Sequence, residues 1–275
     1  MANKKKSTKK EVIEEANYGK TILACVLIII ILIGGYLSYK KIYDKGVPSN
    51  KKEEIVLTND EIKFKKEYET LNGTNLSDGE KLKKVNVIDD NNIVYTSLEN
   101  AISIIKEGSG VIYFAYPTDN MSRIATPILL TAMSNTDLDK INYVSVRDSE
   151  SEDTDFRDVY TIDKKKAKKV KEGKEGYSDL LGLLDEQLPK YTLSTSDGKI
   201  INVGEKRLQV PTLVVVLNGK VVSYVEGTVK DHDMDSNGVL RDLTKDEETE
   251  LTSKYTDAIT SYLDDGCEIE AEEGC

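Results

Sequence analysis

GVIYFAYPTDNMSR, residues 110–123, is the stretch from which the rest of the chain is best read. Residues 111–116 form an almost unbroken apolar and aromatic run, the pattern of a strand covered on both faces. Pro117 ends it. Thr118 and Asp119 are good caps for a helix whose apolar positions Ile124, Ile128, Leu129 and Ala132 recur at helical spacing. The stretch therefore predicts strand, sharp turn and helix, with the free N–H groups of the helix start at the turn.

Working towards the C-terminus, residues 141–146 (INYVSV) predict a second buried strand. It should run parallel to the first, because a helix of about a dozen residues supplies the crossover. Residues 148–158 read as a polar acidic loop, and 164–174 as a basic run on a solvated face. Ser178 is expected to cap a helix reaching Leu188, followed by a short strand at 191–193 and a turn at Asp197-Gly198. In residues 208–228, LQVPTLVVVLNGKVVSYVEGT, strands at 213–217 and 221–225 flank Asn218-Gly219, the signature of a type I′ hairpin. Thr244 and Glu247 form a capping box for a closing helix carrying Leu251, Tyr255, Ile259 and Leu263.

Towards the N-terminus, Asn59 is expected to cap a helix over 60–71 with Ile62, Phe64, Tyr68 and Leu71 as its stripe. Short strands follow at 85–88 and 93–96, then a helix capped by Ser97 and stopped by Gly108. This order predicts an α/β domain with a mixed central sheet flanked by helices.

Phe114-x-x-Pro117-Thr118, Pro127 in the following helix and Val210-Pro211-Thr212 together resemble a thioredoxin-like domain. In that family Phe-x-x-Pro-Thr leads into Cys-x-x-Cys-Arg, and a later Val-Pro-Thr sets a cis-proline beside it. The likeness runs from about residue 61 to the C-terminus and is greatest to membrane-anchored bacterial proteins grouped with bacteriocin transport accessory proteins. It implies the thioredoxin-like fold, a cis bond before Pro211, and a peptide-binding surface at Val210, Pro211 and Thr212. Without the resemblance, a trans proline bounding a strand is the commoner case.

Where the family has its cysteines, this chain has Asp119 and Ser122, with Asn120 and Met121 between them; Tyr113 stands where the family tends to hold a buried acid. Thiol–disulfide exchange needs a thiolate of lowered pKa and a second cysteine to resolve the mixed disulfide, and a carboxylate with a hydroxyl supplies neither. At the level of the residues alone, Asp119 three positions before Ser122 is a helix cap. No Ser-His-Asp assembly is legible, since the sole histidine, His232, lies in a polar loop.

The chain has 275 residues, 39% of them hydrophobic, and a net charge of −11 that argues against nucleic acid as a partner. Residues 1–20 form a basic tail with six lysines against three glutamates, whereas from residue 230 onward fifteen acids face four bases. Residues 21–39 hold no charge, and at about 1.5 Å per residue they suffice to cross a bilayer of about 30 Å. They read as an uncleaved single-pass anchor, because no small-x-small cleavage site follows. Residues 40–57 read as a tether, 58–266 as the domain with its N-terminal extension, and 267–275 as an acidic, cysteine-bearing tail. The lysines on either side of the span give a weak bias for the N-terminus inside, and the resemblance favours the domain outside the cell.

Cys25 falls within the apolar span as a small hydrophobe. Cys267 and Cys275 are candidates for a disulfide in a flexible tail, or for a redox pair slowed by the neighbouring glutamates. Asp233, Asp235 and Asn237 match the first half of a calcium loop, but its twelfth position is Thr244, so an Asp-rich turn is the simpler account. No cofactor motif is legible. Three readings follow: a redox-inactive, extracytoplasmic binding or accessory module for secreted peptides or envelope proteins; an oxidoreductase or isomerase accessory using Cys267 and Cys275; or a structural component of a membrane assembly.

Overall fold

The computed structural model describes residues 57–77, 79–136, 138–148, 152–195, 197–229 and 240–272, with side chains through residue 264. Residues 1–20, the expected span 21–39 and all but the last residue of the tether lie outside them. Among the described residues no helix is long and apolar enough to cross a membrane.

A five-stranded mixed sheet organises the domain. Strands β1 (Ile93–Tyr95), β2 (Gly110–Ala115), β3 (Ile141–Ser145), β8 (Thr212–Leu217) and β9 (Lys220–Glu226) lie in the order β1-β3-β2-β8-β9. β3 pairs in parallel with both β1 and β2, while β8 is antiparallel to β2 and β9 to β8. β2 sits at the centre and all six of its residues are buried, as its continuous apolar run predicts. Its side chains alternate between two cores. Val111, Tyr113 and Ala115 meet Phe64, Tyr68, Leu129, Leu251 and Tyr255 on one face, and Ile112 and Phe114 meet Ala101, Ile105, Leu180 and Leu184 on the other.

The first face is covered by α1 (Asn59–Glu69), α3 (Asn120–Ser134) and α5 (Lys245–Glu272); α2 (Leu98–Glu107) and α4 (Tyr177–Leu183) cover the second. Ser97 caps α2 through the Asn100 N–H at 3.2 Å and Gly108 closes it. Thr244 and Glu247 exchange the two bonds of the expected capping box, 2.7 and 3.3 Å. Asn218 and Gly219 turn the β8–β9 hairpin with φ of 48° and 73°. A Cβ on Gly219 would lie 2.5 Å from the Lys106 carbonyl oxygen, so both conformation and space call for glycine there.

Several local expectations are corrected. Thr58, not Asn59, caps α1, because Glu61 completes a capping box with it; the helix stops at Glu69, and Ile62 is 51% exposed. Residues 85–88 form no strand, although Val85 and Val87 are buried. α4 starts after Gly176 (φ 86°) and not at Ser178, and ends at Leu183. The basic run is solvated at Lys164, Lys165, Lys166 and Lys168 as expected, but it is carried on an unforeseen antiparallel hairpin of β4 (Val159–Asp163) and β5 (Lys166–Lys171). β6 (Lys190–Ser194) and β7 (Ile200–Lys206) form a second. The Tyr160 and Tyr191 rings meet edge-on at 5.8 Å and Lys169 reaches Glu205 at 3.6 Å, joining the two hairpins. Lastly, α5 runs unbroken past Cys267 to Glu272, across the boundary expected between domain and flexible tail.

Candidate functional site

β2 delivers the chain to the site. After Ala115, Tyr116 is buried, Pro117 and Thr118 turn, and the Asp119 carboxylate accepts the Ser122 N–H at 2.6 Å as the cap of α3. Asp119 is half-buried; burial pushes its carboxyl above the usual range, against the pull of the Ser122 bonds and the charge of Arg157. Pro127 lies within α3 as expected and removes one N–H from its ladder.

The proline loop arrives on the neighbouring strand. Phe114 pairs with Thr212, so one further step sets Pro211 level with Ala115 and Val210 level with Tyr116, where the chain turns towards Asp119. The Val210–Pro211 bond is cis. Thr212 is buried and its hydroxyl donates to the Gln209 carbonyl at 3.0 Å, while the Pro211 carbonyl accepts from Gly227 at 2.7 Å. Val210 is half-buried, and its N–H and C=O have no backbone partner among the described residues.

Two side chains from an unexpected place brace this loop. Asp155 and Arg157, in the segment read from sequence as a polar acidic loop, are 2% and 5% exposed and form a forked ion pair at 2.9 and 2.7 Å. Burial opposes both charges, yet the pair wins: the Asp155 carboxyl is held below its usual range and the Arg157 guanidinium above its own. Arg157 also donates to the Leu208 carbonyl at 3.1 Å, and the Tyr177 hydroxyl accepts the Leu208 N–H at 3.3 Å. The sequence signal that was available is Phe156 set between the two charges, an apolar residue where a solvated loop has no use for one.

The helix start is not bare. Residues 80–83 cross it as a strap. Asn120 accepts the Lys83 N–H at 2.7 Å and donates to Glu80 at 2.7 Å and to the Lys81 carbonyl at 3.1 Å. Arg123, 1% exposed, donates to the Lys83 carbonyl at 2.5 Å, the Pro117 carbonyl at 2.9 Å and Asn72 at 2.6 Å. Burial pulls its guanidinium down to about 10. Ser122 is fully buried, whereas Met121 is half-buried. Beneath, Tyr113 and Thr126 share a hydrogen bond of 3.1 Å, so the position where the resemblance implies an acid is occupied by a phenol whose pKa burial drives far up.

Beside the turn, a cleft of about 460 Å³ is lined by Lys63, Glu67, Tyr95, Pro117, Ser145 and Arg147 among others. Lys63 and Glu67 both engage Tyr95: Lys63 stands over its ring at 3.6 Å and its hydroxyl donates to Glu67 at 2.5 Å.

Asp119, Ser122, Val210, Pro211 and Thr212 are thus brought to one end of β2 and β8. Cys25, Cys275, His232, Asp233, Asp235 and Asn237 lie outside the described residues, and Cys267 lies within α5. Among the described residues no group of three His, Cys, Asp or Glu side chains is placed to hold a metal. Among the described residues, the arrangement offers unpaired backbone at a strand end. Compared with protein-family models, curated proteins and solved structures, the chain has no match in any of the three.

Proposed function

We propose that this chain is a membrane-anchored, extracytoplasmic thioredoxin-like domain without its redox cysteines, acting as a peptide- or protein-binding accessory module for secreted peptides or envelope proteins. One observation carries the reading: a capped helix start following β2 and the Val210-Pro211 step opening β8 lie at the same end of adjacent strands in a sheet ordered β1-β3-β2-β8-β9. With the two small hairpin sheets set aside, that order and those strand directions agree with a thioredoxin-like domain. An extended peptide running antiparallel to Val210 would pair with its N–H and C=O, a mode of binding that needs no sulfur.

The side chains around the turn support binding over electron transfer. Asp119 is committed to capping, Ser122 is buried, and Asn120 and Arg123 hold the strap. No group there can take up or release an electron pair as a thiolate does. The uncharged span 21–39 would hold the domain at a membrane, with the tether 40–57 setting its reach.

The test is a photo-crosslinking residue at Val210 in the full-length protein in native membranes, with the exposed Ile200 as control. Adducts to secreted or envelope polypeptides from position 210 and not from 200 are expected. Absence of adducts at 210, or insulin reduction that depends on Cys267 and Cys275, would overturn the reading.

A further inference from the structure

β4 and β5 are joined by two residues, Lys164 and Lys165, with φ of 47° and 65°. Two positive φ values in a two-residue hairpin loop are the mark of a type I′ turn, which residues other than Gly, Asn and Asp enter at a cost. The same chain uses the ordinary solution at β8–β9, where Asn218 and Gly219 stand. Lys164 and Lys165 are exposed. So are Lys166 and Lys168 on the outward side of β5, with Val170 in line with them at 55% exposure.

The inward lysines are engaged: Lys169 meets Asp158, Glu172 and Glu205, and Lys171 donates to the Asp153 and Asp155 carbonyls. Lys164, Lys165, Lys166 and Lys168 form no ion pair among the described residues. Residues 163–174 carry seven lysines against Asp163 and Glu172, net +5 in a chain of net charge −11. The residues from 230 onward account for all of that −11.

We infer that this hairpin tip seats the domain on anionic phospholipid headgroups. A turn that keeps two lysines where Asn-Gly would fit the backbone better retains charge at the expense of local stability, the pattern of a functional position. The choice of occupant rests on the anchored reading above: a domain tethered by residues 40–57 to a span at 21–39 stays beside the bilayer. Exposed lysines at a ribbon tip match a diffuse charged surface and offer no shaped pocket. The acidic part of the chain is repelled by the same surface, so the hairpin leads. Each lysine brought within a Debye length favours contact about fivefold, and four together by about several hundredfold.

The test uses the full-length protein in vesicles of phosphatidylcholine alone or with about one-third phosphatidylglycerol, a composition that sets the surface potential. Insertion is checked by flotation. Lysine acylation at 164–168 is read by mass spectrometry against the exposed Lys220. Reactivity several-fold lower in the anionic vesicles, recovering in about 0.5 M salt, is expected. In Lys164→Asn with Lys165→Gly, which restores the preferred turn residues and so should fold at least as well, contact weakens about 25-fold and protection of Lys166 and Lys168 is lost. Floating protein with equal reactivity in both vesicles overturns this inference alone; protein that floats with neither overturns the anchor and this inference with it. Protection that is equal in both vesicles but rises with protein concentration assigns the hairpin to the acidic segment of a second copy, and overturns the lipid reading.

Discussion

Replacing Arg123 by Met should release the strap that crosses the start of α3. The guanidinium is 1% exposed and serves three acceptors: the Lys83 carbonyl at 2.5 Å, the Pro117 carbonyl at 2.9 Å and Asn72 Oδ1 at 2.6 Å. Met fills much of the same volume and offers no donor. Asn72 Oδ1 keeps the Val85 N–H at 2.8 Å, so the loss falls on the two carbonyls. Each stranded acceptor costs about 1–3 kcal/mol, and relief from burying a charge returns part of it, leaving a net loss of about 3 kcal/mol. Arg123→Lys, with one compact ammonium in place of a fork, should lose about half as much. Urea unfolding at constant m gives the magnitude, and hydrogen exchange gives the place. The Lys83 amide, bonded to Asn120 at 2.7 Å, should lose protection in Arg123→Met while the β2 amides lose only what global stability dictates. A loss under about 1 kcal/mol with Lys83 still protected would mean that the strap stands without its arginine, contrary to this expectation.

Alkaline titration should expose the tyrosine core. Burial holds the Tyr68, Tyr113 and Tyr143 phenols well above their usual range, so their contribution is intact below pH about 10 and is lost as pH rises beyond it. For three such groups the slope is about 4 kcal/mol per pH unit, and tyrosinate absorbance should rise together with loss of helical signal; separate ionisation in the folded protein would contradict this. Lys164→Asn with Lys165→Gly should raise stability by about 1–2 kcal/mol in urea, since both φ values then suit their residues. Asp155→Asn should cost about 3–5 kcal/mol at neutral pH by leaving Arg157 buried without its counter-charge. Because the Asp155 carboxyl is held below its usual range, that difference should shrink as pH falls below about 4, and a constant difference would argue against the ion pair.

The parts of the fold legible in the sequence are those whose signal is local. β2 declares itself by six buried residues in a row, α2 by Ser97 and Gly108, the β8–β9 hairpin by Asn218-Gly219, and α5 by Thr244 with Glu247. What was missed depends on partners far along the chain or on broken local rules. The β4–β5 hairpin escaped because its turn is Lys-Lys and its second strand is mostly lysine, which removes both turn chemistry and apolar alternation. Asp155 and Arg157 fall in a stretch that reads only as a polar acidic loop, because nothing nearby in sequence announces that Leu208 lies against Arg157. Asn59 precedes a good helix pattern, yet Thr58 takes the cap because Glu61 stands three positions after it and one place too early for Asn59. At the site, the positions of Asp119, Ser122 and Pro211 were legible, but not the strap, since the bonds of Asn120 and Arg123 to residues 80–83 span about forty positions of chain.

The proposal of a thioredoxin-like site with oxygen at the cysteine positions is tested by placing sulfur there: Asp119→Cys with Ser122→Cys, in full-length protein carrying Cys25→Ser, Cys267→Ser and Cys275→Ser. The missing Asp119 cap should cost about 1 kcal/mol. The measurement is thiolate formation against pH, followed by mild oxidation. The account predicts that the two introduced thiols close into an intradomain disulfide, and that the first titrates clearly below the free-thiol value of about 8.5 because it sits at a helix start. Thiols that titrate at or above that value and never pair would contradict it.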